Sequence, residues 1–351
     1  MLARTFLRWL AAARPADVLD IVAVRGGPLL DDMAALGEVV TVLDPFEAGV
    51  PREGRRATAL RERVHHLPPA DATLLVSVAA GQVLPLLSDT GPIVTWSVEA
   101  GDDLHWVDEG LGLRERTARW LAGSETTKAD LLPMLGTGHE AHLSPEFIPA
   151  IPHGSTSTHR PEFAPDRPLT VLGAGIGTWR KGIDLFAEVA LAHSRHTSIP
   201  TRYVWVGGES DDLYPAVRAE VARVGPPTME FAPSVGDLGP WFDEADVFVH
   251  AARLDSFPLV CLHAAASAVP VLGFRGAGGL EEMFGAAFAG RPFPDVAGLA
   301  ALIDPVACDE GDAPCASAQQ ARVLGHFTVD TAGPILLRHL TEVAGAPAAT
   351  P

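Results

Sequence analysis

Two apolar runs in the second half of the chain are each followed by a turn of polar and small residues. Val247–Val249 precedes Arg253 and Asp255, and Val269–Leu272 precedes a glycine-rich turn at 276–279. Short apolar runs of this kind fill parallel sheets that are covered on both faces. Because open α/β sheets bind their ligands beyond the carboxyl ends of the strands, the two turns predict two walls of one ligand site.

A third turn combines glycines with two adjacent cations. The stretch LGAGIGTWRKGIDLF at 172–186 contains Gly175 and Gly177, followed by Arg180 and Lys181 where the next helix would begin. Glycines let backbone amides approach an anion closely, and cations strengthen the positive end of a helix. The pattern favours an anion site, although a glycine turn beside a solvated basic pair would have the same residues.

These turns together carry a family resemblance. The order ADVFV, DSFPLV, HAAASAVPV and GAGGLEE within 245–282 resembles the donor-binding signature of the retaining family-4 (group 1) glycosyltransferases, strongly over 169–284 and moderately over 6–163. The resemblance implies an α/β protein of the GT-B fold, with two facing Rossmann-like, doubly wound parallel-sheet domains and a cleft between them. It also implies a glycan-building enzyme that transfers a hexose from a UDP- or GDP-sugar to a saccharide or small hydroxyl acceptor with retention at the anomeric carbon.

The family motif is an acid, seven residues, and a second acid. The first position holds Asp255, and the second holds His263. The resemblance implies that Asp255 is catalytic and accepts a hydrogen bond from the transferred sugar, whereas an N-terminal helix cap is the structural alternative. A carboxylate accepts from both ribose hydroxyls but a neutral imidazole accepts one hydrogen bond, so His263 predicts weaker, rearranged or absent ribose binding, or a half-buried helix histidine without a ligand.

The resemblance assigns the other donor contacts as well. The family's Lys-Gly pair corresponds to Lys181 and Gly182, and implies that Lys181 contacts the diphosphate. Ile176 stands where relatives commonly have an arginine, so Arg180 or Arg253 would substitute. Further donor contacts are expected at the helix start Ser256, Phe257, Pro258 and Leu259 and at the turn Gly278, Gly279 and Glu282. A glycine-rich loop held by a structural carboxylate is the alternative for that last turn.

The first half supplies the expected acceptor residue. Relatives carry a His-Glu pair after the strand that corresponds to 92–99, and this chain has Val98 and Glu99. Glu99 is therefore the second catalytic candidate, orienting an acceptor hydroxyl or supporting charge at the anomeric carbon, unless it belongs to an exposed acidic loop. His263 and Val98 motivate the alternative of a catalytically weak or inactive GT-B protein that binds a nucleotide sugar or a partner enzyme. A sugar-nucleotide epimerase ranks lower, because its additional cleft acids and histidines have no match here.

Composition limits the other possibilities. The formal net charge is −18, which argues against nucleic acid as a partner because such binding needs a basic surface. The cysteines Cys261, Cys308 and Cys315 form no Cys-x-x-Cys pair, so a reduced, cytoplasmic protein is expected. His65 and His66 are adjacent and lack spaced partners, so no metal is expected. The resemblance implies a nucleotide sugar as substrate and no cofactor.

The 351 residues exceed what one core normally organises. Strands are predicted at 18–24, 38–43, 73–79 and 92–99, and a helical pattern at 119–135 with a cap at Ser124 or Thr126 and a helix from Lys128. A second alternation of strands and helices follows from 169. The predicted organisation is an acceptor domain at 1–150, a linker at 151–168, a nucleotide-sugar domain at 169–325, a helix at 326–344 that returns to the first domain, and a disordered tail at 345–351.

The chain opens on what should be the first helix of a Rossmann-like domain. Leu2, Phe6, Trp9 and Leu10 share one helical face, which favours a core-packing helix over a peripheral membrane contact. A strand and a glycine loop precede this helix in relatives, so the domain is expected to lack its first strand. Our hypothesis is a start codon upstream of Met1, with roughly 20–30 further residues.

Overall fold

The computed structural model describes residues 2–25, 30–43, 50, 54–87, 89–99, 101–107, 112–150, 167–209, 213–226, 228–308 and 316–345. The chain divides into two compact units. Unit 1 comprises Met1–Ala150 and Thr328–Pro351, and unit 2 comprises Ile151–Phe327. The predicted linker and tail lie almost wholly outside the described residues.

Unit 1 contains parallel strands in two separate groups. The strands are β1 (Asp20–Arg25), β2 (Glu38–Leu43), β3 (Thr73–Val76), β4 (Ile93–Ser97), β5 (Thr117–Ala122) and β6 (Ala141–Leu143). β1 pairs with β2, and β3, β4, β5 and β6 pair in that order. Among the described residues no pairing joins β1 to β3, and the first strand of a 3-2-1-4-5-6 sheet would lie there.

Helices cover these strands. They are α1 (Leu2–Ala13), α2 (Leu30–Ala34), α3 (Gly54–Val64), α4 (Leu113–Arg116) and α5 (Glu125–Leu135), with 3-10 helices at Val78–Leu86 and Gly101–Val107. α1 buries Leu2, Phe6 and Leu10, the face that its sequence predicts. Ser124 caps α5, since its Oγ accepts the Thr127 N–H at 3.0 Å, so the first of the two predicted caps is confirmed. The predicted helix start at Lys128 is wrong, because a cap at Ser124 starts the helix at Glu125.

The helical pattern predicted from residue 119 is wrong at its start, because residues 119–122 belong to β5. This strand lies between β4 and β6 and buries Trp120, Leu121 and Ala122. A short apolar run looks the same in a buried strand and in a buried helix, because periodicity does not separate them. The tertiary environment of a central strand decides its conformation.

Unit 2 is built around one parallel sheet. Its strands are β7 (Leu169–Ala174), β8 (Thr201–Val206), β9 (Met229–Ala232), β10 (Val247–His250), β11 (Val271–Arg275) and β12 (Ala289–Pro292). They pair in the order β12-β11-β10-β7-β8-β9. The order reverses between β7 and β10, and such a switch point is where doubly wound sheets bind ligands.

Helices on both faces of this sheet enclose the core of unit 2. They are α6 (Ile183–Ser194), α7 (Leu213–Val224), α8 (Gly239–Glu244), α9 (Leu259–Ala266), α10 (Leu280–Phe284), α11 (Val296–Ala300), α12 (Ile303–Ala307) and α13 (Ala316–His326), with a 3-10 turn at Gly285–Ala287. Val171, Phe186, Trp205 and Val249 are buried together in this core. These four side chains come from β7, α6, β8 and β10, so the core joins the sheet to its helices.

A last helix, α14 (Val329–Ala344), belongs to unit 1. It packs against α1, β4 and β5. Arg119 of β5 donates to Glu342 at 2.5 Å and contacts His339 Nδ1 at 3.1 Å. Among the described residues, no helix has the length and apolar character needed to cross a bilayer.

Candidate functional site

The turns after β7, β10 and β11 lie side by side, because β10 pairs with both β7 and β11. Backbone hydrogen bonds tie the turns together. Arg253 N donates to Arg180 O at 2.9 Å, and Asp255 N donates to Ala277 O at 2.9 Å. The three segments that the sequence places at strand ends therefore form one continuous surface at the switch point of the sheet.

An ion pair lies at the centre of this surface. Lys181 Nζ donates to Asp255 Oδ2 at 2.5 Å, and Arg180 NH1 lies 3.9 Å from Asp255 Oδ1. Asp255 is 8% exposed, whereas the Lys181 and Arg180 side chains are 23% and 46% exposed. Two cations with access to solvent therefore flank a buried carboxylate. The predicted anion-binding pair and the predicted acid are thus in contact.

Arg253 has a different environment from the one its sequence position suggests. It forms a bidentate ion pair with Asp184 at 2.8 and 2.7 Å and lies 4.7 Å from the centre of the Trp179 ring. Burial raises the pKa of Asp184, but the hydrogen bonds and charge of Arg253 outweigh burial and lower it. Because its charge is neutralised within the protein, Arg253 is a weaker substitute for the missing family arginine than Arg180 is.

The glycines of the first turn serve close packing. Gly175 N donates to Val206 O and Gly177 N donates to Gly208 O, each at 3.0 Å. A Cβ on Gly177 would lie 2.1 Å from Tyr214 Cδ2. These two amides already have backbone partners, so the cations of this turn, more than its amides, are available to an anion.

The glycines of the last turn position Asp255. Gly279 N donates to Asp255 O at 3.1 Å, which pairs the two turns like neighbouring strands. Gly278 has φ +131°, and a Cβ there would lie 2.0 Å from Asp255 O, while a Cβ on Gly279 would lie 2.2 Å from Ser256 O. Only glycine allows the two backbones to approach this closely.

The segment after Asp255 leads into α9. Phe257 is 3% exposed and its ring centre lies 5.3 Å from that of Phe327, which anchors the turn. Pro258 is the N-cap residue and Leu259 begins the helix. The first amides of a helix have no partners within it and carry partial positive charge, so the positive end of α9 follows directly on the acid.

His263 lies on α9, one turn beyond its start. Its Nε2 is buried and makes no hydrogen bond with any described residue. Burial lowers the pKa of His263, and the charge of Asp237 opposes that shift. The imidazole is therefore neutral at neutral pH.

The two acidic residues that follow the glycine turn, Glu281 and Glu282, have different contacts. The Glu281 carboxylate accepts hydrogen bonds from Gly276 N and Arg275 NH1, each at 3.1 Å. The Glu282 backbone carbonyl accepts from Arg322 NH2 at 2.9 Å. Glu282 stays a predicted donor contact, and the contact of the Glu281 carboxylate with the turn is a further finding of the structure.

In unit 1, Glu99 is held by the backbone at the ends of β3 and β4. Its Oε2 accepts from Val98 N at 3.0 Å, Ser97 Oγ at 3.1 Å and Val78 N at 3.3 Å. Ser77, just before Val78, has φ +84°, a conformation that non-glycine residues adopt at a cost. Glu99 therefore stabilises a strained turn at the carboxyl end of β3.

A buried histidine at this site was not predicted. His250 is the last residue of β10, is 5% exposed, and places Nε2 3.5 Å from Asp255 Oδ2. The signal in the sequence is a histidine that ends an apolar run immediately before a predicted ligand-binding turn.

Within the described residues, no group of three or more His, Cys, Asp or Glu side chains is arranged to hold a metal ion.

Comparisons with known proteins bear on the family of unit 2 and on the fold. Residues 168–309 match the family of group 1 glycosyl transferases, so a domain of that type spans most of unit 2. Those residues include Lys181, Asp255, His263 and the turn at 276–279. A comparison with curated proteins finds no match in sequence.

Solved structures share the fold of the whole chain. Anabaena HepE in complex with UDP and glucose has a TM-score of 0.74 at 16% identity, covering 97% of this chain and 95% of that one. A Rickettsia africae glycosyltransferase has a TM-score of 0.72 at 13% identity, covering 98% and 94%. Sucrose-phosphate synthase of Thermosynechococcus elongatus has a TM-score of 0.68 at 16% identity, covering 93% and 99%. The protein therefore has the two-domain α/β architecture of GT-B glycosyltransferases, with parallel sheets in both domains.

Proposed function

We propose that this protein is a retaining glycosyltransferase that moves a hexose from a UDP- or GDP-sugar to a saccharide or small hydroxyl acceptor. The observation that carries the proposal is the contact between Lys181 and Asp255 at the switch point of the unit 2 sheet. One residue has the charge to bind a diphosphate and the other the acceptor oxygens to bind a sugar hydroxyl. The site lies in the segment that matches group 1 glycosyl transferases.

The leaving diphosphate is the group that most needs stabilisation, because negative charge develops on it as the glycosidic bond breaks. Lys181 and Arg180 supply cations with access to solvent, and the start of α9 at Leu259 supplies helix amides. With these donors the reaction needs no divalent ion, so the proposed enzyme is metal-independent. The buried thiol of Cys261, which forms no disulfide, suits a cytoplasmic setting.

Asp255 is proposed to hold the transferred sugar through its carboxylate oxygens, and the turn at Gly278 and Gly279 to fix its position. In unit 1, Glu99 is proposed to orient the acceptor hydroxyl through Oε1, which makes no hydrogen bond with any described residue. Its Oε2 is engaged with the backbone. An acid fixed in this way loses little conformational entropy when it binds.

The first test is donor binding. The thermal stability of the chain would be measured with UDP, GDP, ADP and dTDP, beginning with UDP because the Anabaena structure holds it. A nucleotide at 100 times its dissociation constant stabilises by about 2.7 kcal/mol, and for a unit of this size the melting temperature should rise by roughly 5–10 °C. Lys181→Ala should abolish the rise.

The control is Lys128→Ala, because Lys128 on α5 is the only other lysine in the chain. It should leave the rise unchanged. If no nucleotide stabilises a well-folded protein, or if Lys181→Ala retains the full response, the diphosphate assignment is wrong.

A binding protein without efficient turnover is the second candidate, and His263 is the observation that favours it. Its Nε2 is buried without a hydrogen-bond partner among the described residues, and a neutral imidazole accepts from one ribose hydroxyl where a carboxylate accepts from two. His263→Glu restores the family's second acid. A wild-type protein that binds UDP but releases none from any UDP-sugar, together with release by His263→Glu, would establish this candidate.

A further inference from the structure

His250 lies beneath the ion pair at the centre of the site. Its side chain is buried, and Nε2 lies 3.5 Å from Asp255 Oδ2, at the limit of hydrogen-bond distance. Nε2 makes no hydrogen bond with any described residue. The Asp255 oxygen that it faces is the one that Lys181 Nζ occupies at 2.5 Å.

The unpartnered Nε2 of His250 destabilises the ligand-free protein. A buried donor or acceptor without a partner costs about 1–3 kcal/mol, and such groups are rare in folded proteins. A shift of a few tenths of an ångström would give His250 a hydrogen bond to Asp255. The group that competes for that oxygen is Lys181, the cation proposed to bind the donor diphosphate.

We infer that His250 is a positioning residue, whose Nε2–H holds the Asp255 carboxylate in place when an anionic donor draws Lys181 away. Lys181 can then turn to the diphosphate without leaving a buried carboxylate unpartnered. The inference rests on the proposed function for its ligand-bound state. Its ligand-free consequences follow from the geometry of the three side chains alone.

The charges around His250 suit this task. Burial lowers the pKa of His250 to about 4, with Lys181 and Arg180 lowering it and Asp255 raising it. Burial raises the pKa of the Cys261 thiol on α9, the charge of Asp255 raises it further and that of Lys181 lowers it, so the thiol is uncharged at neutral pH. A neutral imidazole has one N–H donor, and it can hold Asp255 without adding a third cation that would bind the anion itself.

The ligand-free experiment uses the full chain labelled with 15N-histidine. The titration of His250 is followed by NMR, with its signal assigned by comparison with His250→Gln. In Lys181→Met, the opposing charge is gone and Asp255 is free to pair with His250, so the pKa of His250 should rise by about one unit or more. The double variant Lys181→Met/Asp255→Asn should reverse the rise. A pKa that is unchanged in Lys181→Met would overturn the inference.

The ligand-bound experiment measures UDP affinity by calorimetry. His250→Leu removes the donor but keeps an apolar side chain, and should weaken UDP binding roughly 10- to 100-fold, the loss of one hydrogen bond to a charged acceptor. His250→Gln keeps an N–H donor and should bind within about threefold of wild type. His196→Leu, at an exposed histidine beyond α6, is the control.

The pattern of results separates a positioning role from a structural one. Because His250→Leu removes an unpartnered polar group, the ligand-free variant should be at least as stable as wild type. Equal loss of affinity in His250→Leu and His250→Gln, or wild-type affinity in His250→Leu, would overturn the inference. If wild-type protein does not bind UDP, the same variants are measured with GDP. If it binds neither nucleotide, the proposed function fails, and the ligand-free titration alone decides the role of His250.

Discussion

Replacing Gly278 by alanine tests how the turn after β11 positions Asp255. Gly278 has φ +131°, and the new Cβ would lie 2.0 Å from the carbonyl oxygen of Asp255. The backbones must separate by more than an ångström to restore ordinary contact. That movement breaks two hydrogen bonds, Asp255 N to Ala277 O and Gly279 N to Asp255 O.

The magnitude follows from two contributions. An L-residue in this region of φ costs about 1–2 kcal/mol. Two lost backbone hydrogen bonds cost about 1–3 kcal/mol together. We therefore expect Gly278→Ala to lower the free energy of unfolding by about 2–5 kcal/mol.

The matched control is Gly276→Ala in the same turn. Gly276 has φ +77°, but a Cβ there has no atom within 4 Å, so only the backbone strain of about 1–2 kcal/mol applies. Urea denaturation of both variants, with hydrogen exchange over residues 276–284, measures the difference. Gly278→Ala should also lose exchange protection at the Gly279 amide. Equal stabilities for the two variants would refute the steric argument.

Three further predictions concern charged groups. His250 stays neutral in the folded state down to about pH 4 but protonates near 6.5 when unfolded. Its protonation should therefore lower the free energy of unfolding by about 2–3 kcal/mol between pH 7 and 4.5. Urea denaturation of His250→Asn should lack that part of the fall, and the same pH dependence in the variant and the wild type would contradict this. Arg253→Lys keeps the charge but loses the bidentate pair with Asp184. Thermal denaturation should show that the free energy of unfolding falls by about 1–2 kcal/mol. An unchanged stability would argue against a contribution of the pair. Glu99→Ala removes the acceptor of the Ser97 hydroxyl and of the Val78 and Val98 amides. The free energy of unfolding should fall by about 2 kcal/mol, and both amides should exchange hydrogen faster. Retained protection of these amides would show that Glu99 does not hold the turn.

The sequence predicts the strands of unit 2 well, because each apolar run is short and is bounded by glycine, proline or polar residues. The predicted strands at LTVLGAG, YVWVGG and VPVLGF overlap β7 (Leu169–Ala174), β8 (Thr201–Val206) and β11 (Val271–Arg275). The turns after them are also found together, since parallel strands end at the same edge of a sheet. In unit 1 the same reasoning fails at Thr117–Ala122, where the run is bounded by residues that also suit a helix.

The partners of individual amides and side chains were beyond the reach of the sequence. Gly175, Gly177 and Gly279 have the composition of an anion-binding loop, but their amides bond to backbone carbonyls. Arg253 has the position of a ligand-binding cation, but Asp184 lies in register to neutralise it. Such pairings depend on the relative positions, to within a few tenths of an ångström, of segments that are far apart in the chain. The residue types alone do not predict these positions.

The return of α14 to unit 1 affects how the protein is made. Unit 1 is interrupted in the chain, because the whole of unit 2 is synthesised between Ala150 and Thr328. A Cβ on Gly333 of α14 would lie 3.1 Å from the ring of Trp9 on α1, and Arg119 of β5 binds Glu342 of α14. Trp9 and Arg119 are thus synthesised long before the helix that they contact. Domains generally fold as units while the ribosome elongates the chain. Unit 2 can therefore reach its native state before unit 1, although unit 1 leaves the ribosome first, and the apolar face that α14 covers stays open to chaperones and to aggregation for that interval.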